Sequence, residues 1–341
     1  MKVFVFEEMT GGGMVGEEMD DSFLSQGSAM LKAAVADLLR GDFEVVIMRD
    51  ADVFLEIDQR VEQRIFDETE NIDEVLVEIG QRVDWVLVIS PESDGLLGER
   101  IQLLENAGIK ILNVCAAAER LCGDKYRLSQ FLREEQVPSV EHFFLGDDWE
   151  IQGQVICKDR WGAGCQGMRV FDDAQALRAK AGRRLGDRWV VGKYWEEAMS
   201  MSVCVAVDAK ENISTLPAHK QVVIKASSGE IQYFGGSYGQ FVEQTIGHRA
   251  QQLARQAVQA VAKRGKVFGL LGVDLLMFEN DEQDRVVEIN PRMTLSFAAM
   301  QGAYSGSIWR SILGGQHWGD FDLTGGCYDS NGEIIEERVD G

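Results

Sequence analysis

The chain has 341 residues, 45% of them hydrophobic, enough for a large buried core and a length suited to two or three domains. Its 34 Lys+Arg against 56 Asp+Glu leave a formal net charge of −22, which argues against nucleic acid and anionic membrane surfaces as partners, since both need clustered cations. No apolar run approaches the ~20 residues of a transmembrane helix, and MKVFVFEEM turns acidic too early to read as a signal peptide.

Lys2–Phe6 (KVFVF) reads as a buried strand, followed by a loop containing Gly11-Gly12-Gly13. Ser22–Arg40 has helical apolar spacing and stops at Gly41. Phe43–Met48 is a second strand, Asp67–Gly80 a helix, Trp85–Ile89 a third strand, Gly98–Ala107 a helix and Ile109–Val114 a fourth strand. This alternation predicts an α/β domain over residues 1–115, with a parallel sheet covered on both faces. Residues 116–135 read as helix, stopped by Val137-Pro138. Val155–Lys158, a Gly-rich loop and Arg169–Phe171 form a hairpin-like unit, followed by a basic helix at 173–185 and a strand at Trp189–Trp195. Met201–Val207, Gln221–Ile224 and Ile231–Phe234 read as a meander, and a long helix covers about 241–264. Leu270–Phe278 and Arg285–Ile289 are strands around an acidic turn, and the chain from 318 onward reads as an acidic, Gly-rich, poorly ordered tail.

Charge is unevenly spread. Residues 1–120 hold 26 acids and 10 bases, residues 318–341 hold 7 and 1, and the stretch between holds 23 of each. The six cysteines form no C-x-x-C, which fits reduced thiols in the cytoplasm. The four histidines form no H-x-H or H-E-x-x-H, which argues against zinc.

Three constellations carry candidate chemistry. Gly11-x-Gly13-x-x-Gly16 has dinucleotide-fingerprint spacing, but Glu7, Glu8, Glu17 and Glu18 surround it, and Asp50 lies 39 residues after Gly11 where about 20 is usual. Gly235-Gly236-Ser237-Tyr238-Gly239 matches G-x-S-x-G, with Asp274 and His317 in the order of an α/β-hydrolase triad, yet it follows a meander instead of a parallel strand. The third set is dispersed. Lys158 ends a strand directly before Gly162, Gly164 and Gly167, an ammonium beside backbone amides that could hold phosphate. Downstream, Glu288 and Asn290 share one strand face, and Asp274 joins them if its strand is adjacent. Two carboxylates and an amide oxygen suit Mg²⁺ (or Mn²⁺), with Arg292 close by for an anionic group.

Gly123-Asp124-Lys125-Tyr126, Lys158 before its Gly loop, Asp274 and Glu288-Ile289-Asn290-Pro291-Arg292 together resemble the ATP-grasp superfamily. Phe4–Glu7, Gln26–Leu31, Pro91–Gly95 and Gln221…Tyr233–Gly236 are similar to the archaeal-type tyramine–glutamate ligase family of methanofuran biosynthesis. The resemblance implies a Rossmann-like pre-ATP-grasp domain (1–115), an ATP-grasp small subdomain with a Gly-rich lid (116–195), a metal- and substrate-binding subdomain (196–317) and an acidic tail (318–341). It implies ATP as cofactor, with Lys125 and Lys158 on its phosphates, Lys193-Tyr194-Trp195-Glu196 pairing with adenine, and Glu196 or Glu197 on the ribose. Ser200 or Met201 stands where many members carry an acid for the ribose. Asp274, Glu288 and Asn290 would hold the metal, and Arg292 and Tyr233 would contact substrate. The implied activity is a cytoplasmic carboxylate–amine ligase working through an acyl phosphate on small-molecule acid and amine substrates, as a homodimer in common with related folds. A Ser237-dependent hydrolase and a non-catalytic nucleotide-binding protein are the alternatives.

Overall fold

The computed structural model describes residues 1–16, 21–181, 186–314, 319–321 and 325–335. Its first unit contains β1 (Lys2–Glu7), α1 (Asp21–Arg40), β2 (Glu44–Asp50), β3 (Glu62–Phe66), α2 (Ile72–Gly80), β4 (Trp85–Ile89) and α3 (Leu96–Asn106). The strands form a parallel sheet in the order β3-β2-β1-β4. The unbroken apolar run of β1 follows from burial on both faces. Val3 and Val5 pack towards α1, while Phe4 and Phe6 pack towards α2 and α3.

Three expectations here change. Residues 62–66 are a strand that sequence reading passes over, because EQRIF is largely exposed at the sheet edge and lacks an apolar run. Helix α2 begins at Ile72, not Asp67; Asn71 caps it by accepting from the backbone N–H of Asp73 and Glu74. Residues 109–114 make only an isolated bridge, Val86 to Ile111. The Asn113 side chain takes over the next pairing position, accepting from Val88 N–H at 2.9 Å and donating to Val88 C=O at 2.9 Å.

Helices α4 (Ala116–Cys122) and α5 (Lys125–Glu134) lead into a small antiparallel sheet. It contains β5 (Phe143–Phe144), β6 (Val155–Asp159), β7 (Arg169–Phe171) and β8 (Trp189–Lys193), ordered β5-β8-β6-β7, with α6 (Ala174–Ala181) packed on it. Residues 182–185 of the anticipated basic helix lie outside the described residues.

The remaining chain builds an eight-stranded antiparallel sheet. Its elements are β9 (Met199–Val207), β10 (Ile213–Thr215), β11 (His219–Lys225), β12 (Ile231–Tyr238), α7 (Thr245–Val261), β13 (Gly269–Met277), β14 (Arg285–Asn290), α8 (Leu295–Met300), α9 (Ile308–Gly314), β15 (Gly326–Tyr328) and β16 (Ile334–Ile335). The order is β14-β13-β9-β11-β12-β15-β16, with β10 on β9. Alternation along β9 explains how it is covered: Val203 and Val205 face α7, while Cys204 and Ala206 face the cluster containing α1, α8 and α9. The region from 326 to 335 therefore adds strands where a poorly ordered tail was anticipated; Tyr328 is buried against β12. Among the described residues, no helix is long and apolar enough to cross a membrane.

One core cluster joins α1 of the first unit to α8 and α9 of the last. Buried Asp37 on α1 fastens the joint. It accepts from Ser307 Oγ (2.8 Å) and from the backbone N–H of Ile308 (3.2 Å) and Trp309 (3.0 Å), and pairs with Arg40 (2.9 Å). These N–H groups open α9 and have no partner within the helix. Asp37→Ala should therefore destabilise the protein by about 3 kcal/mol, the scale for stranding buried donors. Guanidinium unfolding monitored by tryptophan fluorescence checks this; an unchanged midpoint would show that Asp37 does not hold the joint.

Candidate active site

Asp274 on β13 stands directly opposite Glu288 on β14. The register shifts between Asp274 and Leu275, leaving Val287 as an extra residue, a β-bulge beside the carboxylates. Asn290 Nδ2 and Gln221 Nε2 each donate to Asp274 at 3.1 Å. The three residues expected to share one strand face are thus within one hydrogen-bonded set, joined by Gln221 from β11.

Two lysines meet this set. Asp124 caps α5 by accepting from Arg127 N–H at 3.1 Å, which orients the first turn and Lys125. Lys125 Nζ lies 3.5 Å from Glu288 and donates to the Gly162 carbonyl. Asp124 also clamps Arg160 with bonds of 2.8 and 2.6 Å, fixing the base of the Gly loop. Lys158 on β6 is 5% exposed. Burial, first, and the Lys125 charge pull its ammonium down, although Glu288 opposes them. Burial alone would raise Glu288, but Lys125 and Lys158 outweigh it and hold its carboxyl below the usual range. Burial, followed by the Glu288 charge, pushes Asp274 up to about 7. His142 lies beneath, its Nδ1 3.1 Å from the Lys125 carbonyl, and burial plus Lys158 bring its ring down to about 3.

Two cavities meet at the carboxylates. One is walled by Lys158, Lys193, Tyr194 and Trp195 together with apolar Ile156 and Leu276. The other lies between the first unit and the large sheet and includes Glu7, Phe23, Gly164 and Arg292. Cys165, Gln221, Tyr233, Asp274 and Glu288 line both. A long, mostly apolar slot thus opens, across a charged septum, onto a second chamber.

The remaining expected site residues are distributed as follows. Gly164 and Cys165 sit at the cavity junction in left-handed conformation, φ 64° and 63°. Gly162 touches Lys125 through its carbonyl, whereas Gly167 faces a separate outer pocket beside Trp189. Glu196 lies outside the walls of the slot; it is exposed and pairs with Lys225 at 3.3 Å. Tyr233 Oη donates to Tyr328 Oη at 3.4 Å. Arg292 lines the second chamber with its guanidinium 3.0 Å from Glu92, a buried residue of the first unit. Glu92 and His142 escape sequence reading because their partners are 200 and 17 residues away.

The donor set fits a hard divalent cation only with outside help. Among the described residues, no three His, Cys, Asp or Glu side chains converge as a closed metal site. Two half-buried carboxylates and an amide suit Mg²⁺, which completes its shell with phosphate oxygens and water. The two other motifs have different fates. Ser237 lies inside β12 opposite Lys220, in an antiparallel ladder and not on a strand-to-helix elbow; His317 lies outside the described residues. The Gly11–Gly16 loop folds back on the Glu7 and Glu8 carbonyls and packs against Phe66, beside two acids that would repel a pyrophosphate.

Comparison with known proteins bears on family and fold. Residues 122–296, just over half of the chain, match the model of an ATP-grasp domain, and residues 43–118 match that of a pre ATP-grasp 3 domain. Tyramine–L-glutamate ligase from Methanocaldococcus fervens is 26% identical over 223 residues; the match covers 65% of this chain and 62% of that protein. In structure the chain is similar to an Archaeoglobus fulgidus protein assigned to the ATP-grasp superfamily (TM-score 0.70, 22% identity, 94% of this chain and 89% of that one). It is also similar to N5-carboxyaminoimidazole synthetase from Staphylococcus aureus complexed with ADP (TM-score 0.65, 16% identity, 93% and 78%).

Glu119, 1% exposed, packs near Glu92, and its Oε2 has no hydrogen-bond partner among the described residues. Burial, then the Glu92 charge, raises its carboxyl from 4.5 to about 7. The native state thus holds this proton more tightly than the unfolded chain, and the cost of ionisation appears as pH rises from 4.5 to about 7. Glu119→Gln should gain stability relative to wild type between pH 5 and pH 8, by up to about 3 kcal/mol. Denaturant titrations at the two pH values check this; a pH-independent difference would contradict it.

Proposed function

Because the chain belongs to the ATP-grasp family, we propose that it is an ATP-dependent carboxylate–amine ligase. The observation that carries this reading is the meeting of two cavities at Asp274, Glu288, Gln221 and Tyr233. The apolar slot receives the nucleotide, with adenine against Tyr194 and Trp195 and the backbone of Lys193. Lys158 and Lys125 reach the phosphates, and the Gly162–Gly167 loop lies over them. Asp274, Glu288 and Asn290 would hold Mg²⁺ or Mn²⁺, which would neutralise phosphate charge. The second chamber receives the acid. Its carboxylate oxygen attacks the γ-phosphorus, the bond to the bridging oxygen breaks, and ADP leaves. The neutral amine nitrogen then attacks the acyl carbon, the C–O bond to phosphate breaks, the proton lost by nitrogen leaves with the phosphate, and an amide results. The residues contribute chiefly by positioning and by charges set in advance. Arg292, held by Glu92, is oriented towards an anionic group in the chamber.

The name of the M. fervens relative supplies the finer reading: glutamate as the acid and tyramine or a related aromatic amine as its partner. Use of ATP supports a cytoplasmic location for the reaction.

Incubation with MgATP, glutamate and tyramine, followed by ADP detection and mass analysis of the amide, tests the proposal. Wild type should release ADP only when both substrates are present. Glu288→Gln should lower kcat/KM for MgATP by about 100-fold, the scale for removing one preorganised charged group. Unaltered turnover in Glu288→Gln would remove the metal assignment. MgATP binding without turnover over a broad amine and acid panel would favour the non-catalytic nucleotide-binding reading.

A further inference from the structure

Glu7, the last residue of β1, is 2% exposed and lines the second chamber with Met9 and with Phe23, Gly27 and Met30 of α1. Its oxygens are unequally used. Oε2 accepts from Thr10 N–H at 2.8 Å and from Thr10 Oγ1 at 2.7 Å, whereas among the described residues Oε1 accepts only from Met9 N–H at 3.2 Å. A carboxylate oxygen offers two acceptor positions, so one is left, on Oε1. A Cβ at position 27 would stand 2.5 Å from that oxygen, so glycine there keeps α1 clear of it.

Other buried acids of this unit have cations: Glu8 has Arg100, Asp37 has Arg40, and Glu92 has Arg292. Among the described residues, no lysine or arginine lies within ion-pairing distance of Glu7. Burial pushes its carboxyl up to about 7, against the hydrogen bonds from Thr10 and Met9. A buried carboxylate that faces a cavity without a counter-ion lacks what the other three possess.

We propose that Glu7 anchors the nitrogen of the incoming amine as an ammonium before that nitrogen loses a proton and attacks, and that the apolar body of this amine is seated between β1 and α1. The inference rests on reading the paired cavities as a ligase site. A single open acceptor position suits one N–H of an ammonium and not the two-pronged guanidinium. Met9, Met30 and the Phe23 ring supply adaptable apolar contact for the body. Phe23 also stands against the Gly loop, 3.6 Å from where a Cβ on Gly164 would lie, so a filled pocket borders the lid.

Calorimetric titration of the full chain at pH 8 tests the proposal, using tyramine and its neutral counterpart 4-(2-hydroxyethyl)phenol, in which a hydroxyl replaces the ammonium. Wild type should bind tyramine at least about tenfold more tightly than the alcohol. Glu7→Gln should abolish that preference by weakening tyramine, leaving the alcohol and MgAMP-PNP unaffected. Equal affinities in wild type, binding of neither compound at millimolar concentration, or an intact preference in Glu7→Gln would each overturn the assignment. The wild-type comparison decides the matter even if the variant fails to fold. Failure to bind MgAMP-PNP with a retained amine preference would sink the ligase reading and leave the subsite; the converse would sink the subsite alone.

Discussion

Two half-buried carboxylates and two buried ammonium groups lie within one junction of this molecule, and the fold is arranged to bring them there. Removing such charges from water is costly unless each meets an opposite charge or a dense set of hydrogen bonds. Glu288 and Lys125 satisfy each other directly, while Asp274 draws on Asn290 and Gln221. The bulge at Val287, the Asp124 cap that orients Lys125, and the clamp between Asp124 and Arg160 all serve this junction. Asp274, raised to about 7, is the least compensated member, which is where an added cation has most to contribute.

The first unit is bound to this junction instead of being tethered near it. Its helix α1 shares a core with α8 and α9, and two of its buried acids reach across: Asp37 to the start of α9 and Glu92 to Arg292. The second chamber consequently has walls from both units. This bears on the net charge of −22. The excess in residues 1–120 is largely solvated surface, but Glu7, Glu8, Asp37 and Glu92 are buried and have specific surroundings. Screening over roughly 8 Å makes these local arrangements matter more to a charged ligand than the total does.

Much of the architecture is legible from local pattern. Alternating apolar strands and helices predict the parallel sheet, and the Lys–Gly-loop and E-I-N-P-R stretches point to the family. The misreadings share a cause. Strand β3 is polar because it is an edge, residues 109–114 lose their ladder to a side-chain amide, and Ser237 matches a motif whose meaning depends on an elbow that β12 does not form. The last strands, β15 and β16, are short and are held by pairing to a distant hairpin, so their own composition reads as tail.

By itself, the sequence determined the element types, the superfamily and the identity of the charged groups, because helix and strand periods and spacing along one strand are local properties. Only the tertiary structure decided that Asp274 faces Glu288 across a bulge, that Glu92 takes Arg292, and that Glu7 looks into a shared chamber without a counter-ion among the described residues. Those facts depend on register and burial between segments up to 200 residues apart, and the cost of a buried charge is set by the neighbours that folding brings to it.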